Sequence, residues 1–536
     1  MKNIRINKIK NVIIYSLVIV ILAFSACTDD FEEMNKDPFN PTTTSIPPVF
    51  NRITESIMLE WQEQAGLHNT YYYYYSQQAG RFGISGYLLD NSINDLWKDY
   101  YKSLTNYRLL EQLFEDFDKD LDLTNVQAMA KIVITYNTLR MTEMFGDLPY
   151  ENAGYGKSGA AYFRAPYDND QDVFKQCLTD LKWASDNLTA HDETKYSIGD
   201  YDVLFNSDHV KWKKWANSLI LRYALHIYDK ENQFAGDLIS TILNDPGNYP
   251  LIESEEDVCL WPDDLDLNLE GRGWSFWSEN MLRMGTAMWS VMSENDNTDG
   301  SGIVDPRCYV FFEPNDNDEW VAYPQNPSAS TPTEIVGKAY NRSRDDNWDD
   351  KGGINYSPFN YFLVRDQYDV PEIIQTAAEV KLLKAEAYAK GTGVGVNLSM
   401  AQQEYEAAIR TSIAFWYYVV SITDIWTVNV PTEPTDEEVN TFIAHPIVAW
   451  DNSKALDLVY MQRWVDAFRQ PWEGFNLWNY TNQTPRDISG NYNPSDYEFY
   501  RIHYPLDEQK YNAEYWSEAT NDGANDKEDI KLFWHK

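Results

Sequence analysis

Basic side chains are scarce in this chain of 536 residues: 44 Lys and Arg stand against 83 Asp and Glu, a formal charge of −39. A surface of that sign repels phosphate backbones and anionic headgroups, which argues against nucleic acid as a partner and against adhesion to a membrane by charge. Cysteine is nearly absent. Cys27, Cys177, Cys259 and Cys308 are too far apart for a disulfide framework and lack the close pairs of a zinc site. Seven scattered His give no cluster. There is no His-Glu-x-x-His and no Gly-x-Ser-x-Gly, so zinc-protease and serine-hydrolase chemistry have no anchor. Beyond residue 24, no apolar run is long enough to span a bilayer.

Partial motifs fail on inspection. Gly156-Lys157-Ser158 looks like the end of a phosphate loop, but Glu151 stands where that loop needs Gly and no apolar strand precedes it. Gly391, Gly393 and Gly395 follow a helical pattern and are succeeded by Val396, which makes them a helix stop and not a dinucleotide turn. Asn295, Asn297, Asp299 and Gly300 match the first half of an EF-hand loop, yet the twelfth position is Pro306, which cannot chelate. Asp345, Asn347 and Asp349 lack the Gly and the terminal Glu. An irregular calcium site and plain solvated loops both stay open, as does a carboxylate pair for glycoside hydrolysis, which only a separation in space would identify. No cofactor is called for.

The amino terminus is informative. Lys2, Arg5, Lys8 and Lys10 precede the uncharged stretch Val12–Phe24, and Ser25 and Ala26 lead into Cys27. As a helix that stretch reaches about 20 Å, short of the roughly 30 Å hydrocarbon core, so residues 1–26 are expected to be an export signal. A Cys directly after such a signal resembles a bacterial lipobox, with Phe24 where Leu is usual, and Cys27 is the expected site of lipidation. Asp29, Asp30, Glu32 and Glu33, then Pro38, Pro41, Pro47 and Pro48, make residues 27–48 an acidic, extended tether.

The remainder, 49–536, is expected to fold as one mainly α domain. Phe174, Leu178, Leu181, Ser185 and Leu188 recur at helical spacing, as do Ala216, Ile220, Tyr223 and Ile227, and Ala401, Tyr405, Ala408, Ser412 and Phe415. Ala378, Leu382, Ala385 and Ala389 share a face that stops at Gly391, so 372–390 and the helix of Ala401 predict a hairpin with tetratricopeptide-like small and aromatic knobs. Further helices are expected at 50–65, 92–117, 124–145, 207–229, 235–244, 275–293, 435–444 and 453–469. By contrast, 250–370 is rich in Asp, Asn, Gly, Pro and Trp and predicts a long irregular lobe, which Trp261, Trp274, Trp277, Trp289, Trp320 and Trp348 argue is ordered.

Aromatic residues make up 15% of the chain, more than an ordinary core requires, which favours a ligand that stacks on rings over simple packing. Ring faces carry the C–H groups of pyranoses while Arg, Asn and Asp take the hydroxyls. The candidate ligand-binding residues are Tyr75, Arg81, Trp97, Trp274, Trp277 and Trp320, drawn from the run Tyr71–Tyr75 with Gln77, Gln78 and Arg81, from Trp97 with Tyr100, and from the Trp-rich loops. Core packing is the alternative for each ring.

Glu143-Met144-Phe145-Gly146-Asp147-Leu148-Pro149-Tyr150 resembles the GD-x-PY turn of the SusD/RagB lipoproteins, and Lys214–Arg222 (KWANSLILR) resembles their W-x-NSL-x-LR helix. Asn35–Thr42 is similar to their N-x-DP-x-x-PT segment. Asp305-Pro306-Arg307, the Ala378–Tyr388 helix and the tail from Gln462-Arg463-Trp464 through Trp472-Glu473-Gly474-Phe475 extend the resemblance over the chain, with Gln470-Pro471 a small departure. The acidic run after Cys27 resembles the surface-export signal of Bacteroidetes lipoproteins. The resemblance implies one helical domain of four tetratricopeptide-like hairpins with an irregular lobe, anchored by lipid to the outer membrane at the cell surface. It further implies a non-catalytic lid that captures oligosaccharide, or a peptide in RagB-like cases, for a SusC-like TonB-dependent transporter. A lipid-anchored glycoside hydrolase is the alternative from another class.

Overall fold

Apolar side chains at steps of three and four do fold as helices, and successive helices pair. The computed structural model describes residues 44–59, 63–81, 89–117, 120–261, 282–315, 317–332, 355–360, 372–422 and 430–536, among which there are sixteen α-helices and four short strands. Cys27 and the segment up to residue 43 lie outside the described residues. Among the described residues no helix is long and apolar enough to cross a membrane.

The chain enters with α1 (Ile46–Glu55). Pro47 and Pro48, read from sequence as the end of the tether, stand in its first turn, where the missing N–H groups have no intrahelical partner to lose. The helix expected over 50–65 stops at Glu55, and a π-helix (Gln64–Tyr72) follows, running directly into α2 (Tyr73–Ser76). After β1 (Ala79–Arg81), the long α3 (Leu89–Glu115) packs against α1. Next, α4 (Thr124–Phe145) packs on α5 (Asp170–Asn187), α5 on α6 (His209–Ile227), and α6 on α7 (Asn232–Asn244).

The irregular lobe is attached by two small antiparallel sheets. β2 (Cys259–Trp261) pairs with β4 (Glu372–Gln375), and β3 (Leu282–Met284) pairs with β1, Gly80 opposite Arg283. Residues 282–284 were expected to be helical. Pairing with β1 holds them extended instead, and the helix of that region, α8 (Thr286–Met292), starts only after Gly285. The short α9 (Cys308–Phe311) follows Asp305-Pro306-Arg307.

The predicted hairpin is present as α10 (Ala377–Lys390) and α11 (Leu398–Ser421). Ala378, Leu382 and Ala385 face Ala401, Tyr405 and Ala408, all buried, so small side chains let the two helices approach and the Tyr405 ring fills the gap. Thr376 and Asn397 cap the two N-termini by accepting the backbone N–H groups of Glu379 and Met400. Gly391 ends α10 at φ +76°, its N–H donating to the Ala387 carbonyl at 2.9 Å. Gly393 must be glycine for a second reason: a Cβ there would lie 2.5 Å from the Gly236 carbonyl of α7. The chain closes with α12 (Asp436–Ile443), α13 (Ala455–Asp466) on α10, α14 (Pro471–Thr481) on α13, α15 (Leu506–Tyr511) and α16 (Ala513–Thr520).

The core is aromatic, with Trp212, Trp215, Trp416, Trp464 and Trp534 essentially without exposure. It is also ionic. Arg222, fully buried on α6, donates from Nε and Nη2 to the two oxygens of Glu379 at 2.6 Å each and reaches Glu473 of α14 at 3.1 Å. Arg307 makes the matching fork on Asp305 and also donates to Ser412 and Gln462. Glu143 and His226 pair at 2.7 Å with no side-chain exposure; burial raises the Glu143 pKa and lowers that of His226, in each case favouring the uncharged form. Apart from His226, the charged groups belong to the sequence motifs, and together they tie α4, α6, α10, α11, α13 and α14.

Candidate functional site

The GD-x-PY turn shapes the surface. Gly146 leaves α4 at φ +82°, where a Cβ would come within 2.7 Å of Leu532. The Asp147 carboxylate then accepts the N–H of Asp170 at the start of α5 (2.8 Å), and Asp168 accepts those of Tyr150 (2.9 Å) and Glu151 (2.8 Å). From the other side, Tyr101 donates its hydroxyl to the Pro149 carbonyl and Arg108 donates to those of Tyr150 and Ala153. The 149–156 segment is therefore fixed as a wall standing off α3.

Two cavities flank that wall. The larger, about 750 Å³, is a groove floored by Trp97 and Tyr101 of α3, with Tyr162, Phe163 and Arg164 on one lip and Tyr511 of α15 on the other. That volume falls within the roughly 300–1,000 Å³ of small-ligand sites. Phe163 is 73% exposed and Tyr511 60%, the latter with the Lys510 ammonium 4.7 Å from its ring centroid. Trp97 is only 6% exposed, packed against Tyr101, Phe145 and Tyr504 at centroid distances of 5.0–5.7 Å. Glu508 is turned aside, accepting from Tyr167 (3.1 Å), from Asn512 (2.5 Å) and from Trp97; burial raises its pKa against those bonds. The smaller cavity, about 540 Å³, lies beyond Tyr150 and Tyr155, where Arg108 sits over the Tyr155 ring at 4.8 Å among Glu111, Asp168, Asp172 and Asp180.

The sequence-derived candidates divide. Trp97 lines the groove as its floor. Tyr75 and Arg81 lie in a neighbouring ladder of rings: Tyr75 stacks on Phe499 at 4.4 Å and 6°, Tyr71 on the same Phe499 at 5.4 Å, and Tyr74 on Tyr497 at 5.4 Å. The Arg81 guanidinium acts on Tyr71 and Tyr74 and donates to the Thr70 carbonyl at 3.2 Å. Tyr72, Tyr73 and Tyr100 are core residues, while Gln77 accepts from the Asp487 N–H and Gln78 donates to the Trp464 carbonyl. Trp320 does not line the groove. It lies half-buried over Gly300, edge-on to Tyr309 at 5.6 Å. Trp274 and Trp277 fall outside the described residues.

The groove residues the sequence did not disclose are Lys98, Lys102, Tyr162, Phe163, Arg164 and Tyr511. Adjacent rings inside the Gly-rich stretch 154–163, where no periodic face needs them, were the available signal. The half EF-hand is spent internally: Asn295 and Asp299 accept the N–H groups of Asn297 and Ser301. Among the described residues no group of three His, Cys, Asp or Glu could hold a metal ion. Gly156-Lys157-Ser158 is a single 3-10 turn, and Cys177 and Cys308 are buried free thiols.

Residues 38–505 match the family model described as "Starch-binding associating with outer membrane", SusD-like. Among solved structures, the fold is similar to that of a chitin-binding protein (19% identity, TM-score 0.70, covering 92% of this chain and 100% of that one). It is also similar to a SusD homolog from Parabacteroides distasonis (19%, 0.69, 92% and 98%) and to a chitin-binding SusD homolog from Flavobacterium johnsoniae (19%, 0.66, 91% and 98%). None of the curated protein sequences matches the chain. With its paired helices, its GD-x-PY wall and a match over most of its length, the chain belongs to the SusD-like family.

Proposed function

We propose that the protein is a non-catalytic, cell-surface lipoprotein that captures an oligosaccharide and passes it to a partner SusC-like TonB-dependent transporter in the outer membrane. The observation that carries this is the groove: exposed rings at Phe163, Tyr162 and Tyr511, bordered by Asn106, Asn512 and charged side chains, form the kind of surface on which a pyranose stacks and hydrogen-bonds. The chitin-binding descriptions of two structural neighbours agree in ligand class. Cys27 after an export signal supports the anchor. The two groove carboxylates, Asp507 and Glu508, are adjacent on one helix, and Glu508 is engaged by Tyr167 and Asn512, which favours binding over glycoside hydrolysis. Trp97 lines this groove, while Tyr75, Arg81 and Trp320 lie outside its lining.

Isothermal titration of the purified protein against chito-, malto- and plant-derived oligosaccharides tests the receptor function. Saturable binding without release of shortened products supports it. Silence across the panel, or hydrolysis of a bound glycan, sinks it.

A further inference from the structure

The groove breaks the charge rule of the rest of the molecule. In a chain with nearly twice as many acidic as basic residues, its lining carries four cations, Arg52, Lys98, Lys102 and Arg164, against Asp507 and Glu508. Lys98 and Lys102 stand one turn apart on α3, about 6 Å along the axis. Their carboxylate partners, Asp95 and Asp99, and Glu55 beside Arg52, are each three residues away on the same helix and outside the lining, so the basic residues and not their acidic partners line the cavity. Exposed pairs of that kind hold their charges only weakly and release them readily to a better-placed anion. Arg164 is exposed and makes no ion pair among the described residues. Of the two carboxylates, Glu508 is already occupied by hydrogen bonds from Tyr167 and Asn512.

Resting on the assignment of a saccharide to this groove, we propose that its ligand is an anionic sugar chain, bearing carboxylate or sulfate groups, whose rings stack on Phe163 and Tyr511 while its anions meet Lys98, Lys102, Arg52 and Arg164. Arg164 on one lip and the two lysines on the floor can take anions from both sides of a stacked ring, and the guanidinium offers a planar fork to a carboxylate or sulfate. The net charge of the chain opposes approach from a distance, but at physiological salt that field decays within about 8 Å, leaving the local cations to decide affinity.

The experiment titrates the full mature chain with oligogalacturonate and with its methyl ester, the same sugar with its charge removed. A sulfated oligosaccharide and its unsulfated parent form the second arm. A preference of about tenfold for the charged member of either pair is expected, and the arm that shows it identifies the group recognised. The double variant Lys102→Gln, Arg164→Gln should shrink that ratio to about twofold, while Lys527→Gln, on the surface outside the lining, leaves it unchanged. Equal affinities within both pairs, or a ratio that survives the double variant, overturn the anionic preference and leave the receptor function standing. Absence of binding by every saccharide, charged or neutral, overturns the receptor function itself.

Discussion

Replacing Phe163 by Ala separates ligand binding from folding. The ring is 73% exposed and lies over Gly156, where even an added Cβ would stand 3.7 Å away, so the folded chain gains little from it. Its removal should change stability by no more than about 0.5 kcal/mol, as for other surface substitutions. If the ring is a stacking platform, its loss should weaken binding by about 1–3 kcal/mol, roughly 5- to 150-fold in Kd. Trp97→Ala gives the opposite pattern. That indole is 6% exposed and packed on Phe145, Tyr101 and Tyr504, so truncation should destabilise by about 3–5 kcal/mol, with binding lost only as the groove floor collapses. Calorimetric titration with a saccharide that binds the native protein, alongside urea unfolding of both variants, reads the two effects independently. An unchanged Kd for Phe163→Ala would refute ring stacking at this lip, and an unchanged midpoint for Trp97→Ala would refute its place in the core.

Arg222→Met leaves Glu379 and Glu473 buried without their cation and should cost about 3–5 kcal/mol in urea unfolding, whereas Lys102→Gln, an exposed pair, should cost under about 1 kcal/mol. His503 hydrogen-bonds Glu528 at 3.2 Å and Asp90 at 3.0 Å, and chiefly the Glu528 bond raises its pKa above the ordinary 6.5. The proton is held more tightly in the folded state, so this contribution is full below about pH 6.5 and is lost as pH rises through the raised value. The stability advantage of the native chain over His503→Gln should accordingly shrink as pH rises above about 6.5, and an advantage that grows with rising pH would contradict the geometry. Gly393→Ala should destabilise by well over about 1 kcal/mol in the same assay, because φ is +67° and the new methyl meets the Gly236 carbonyl.

Periodic apolar faces made most of the scaffold legible. Thr124–Phe145 was readable to the residue, since helical spacing begins directly after a polar loop and Gly146 ends it. The α10–α11 hairpin was readable from Gly391 and the small residues on its inner faces. Residues 282–284 were not, because Leu282 and Met284 suit helix and strand alike and only the distant partner β1 decides. The π-helix of Gln64–Tyr72 and the short α15 and α16 carry no distinguishing period. In the candidate site, Trp97 was found because tryptophan is conspicuous, but its burial was invisible without Phe145 and Tyr504 around it. Phe163 and Arg164 were missed for the converse reason: exposure on a Gly-rich loop is a property of the assembled surface and leaves no pattern in the string.

Because Pro149–Gly156 stands between two hollows, it acts as a partition whose position is shared property. Its backbone oxygens are held by Tyr101 at one end and Arg108 along its length, and Arg108 also sits over the Tyr155 ring on the far side. Whatever occupies either hollow therefore rests against the same wall, whose position Tyr101, Asp168 and Arg108 set together.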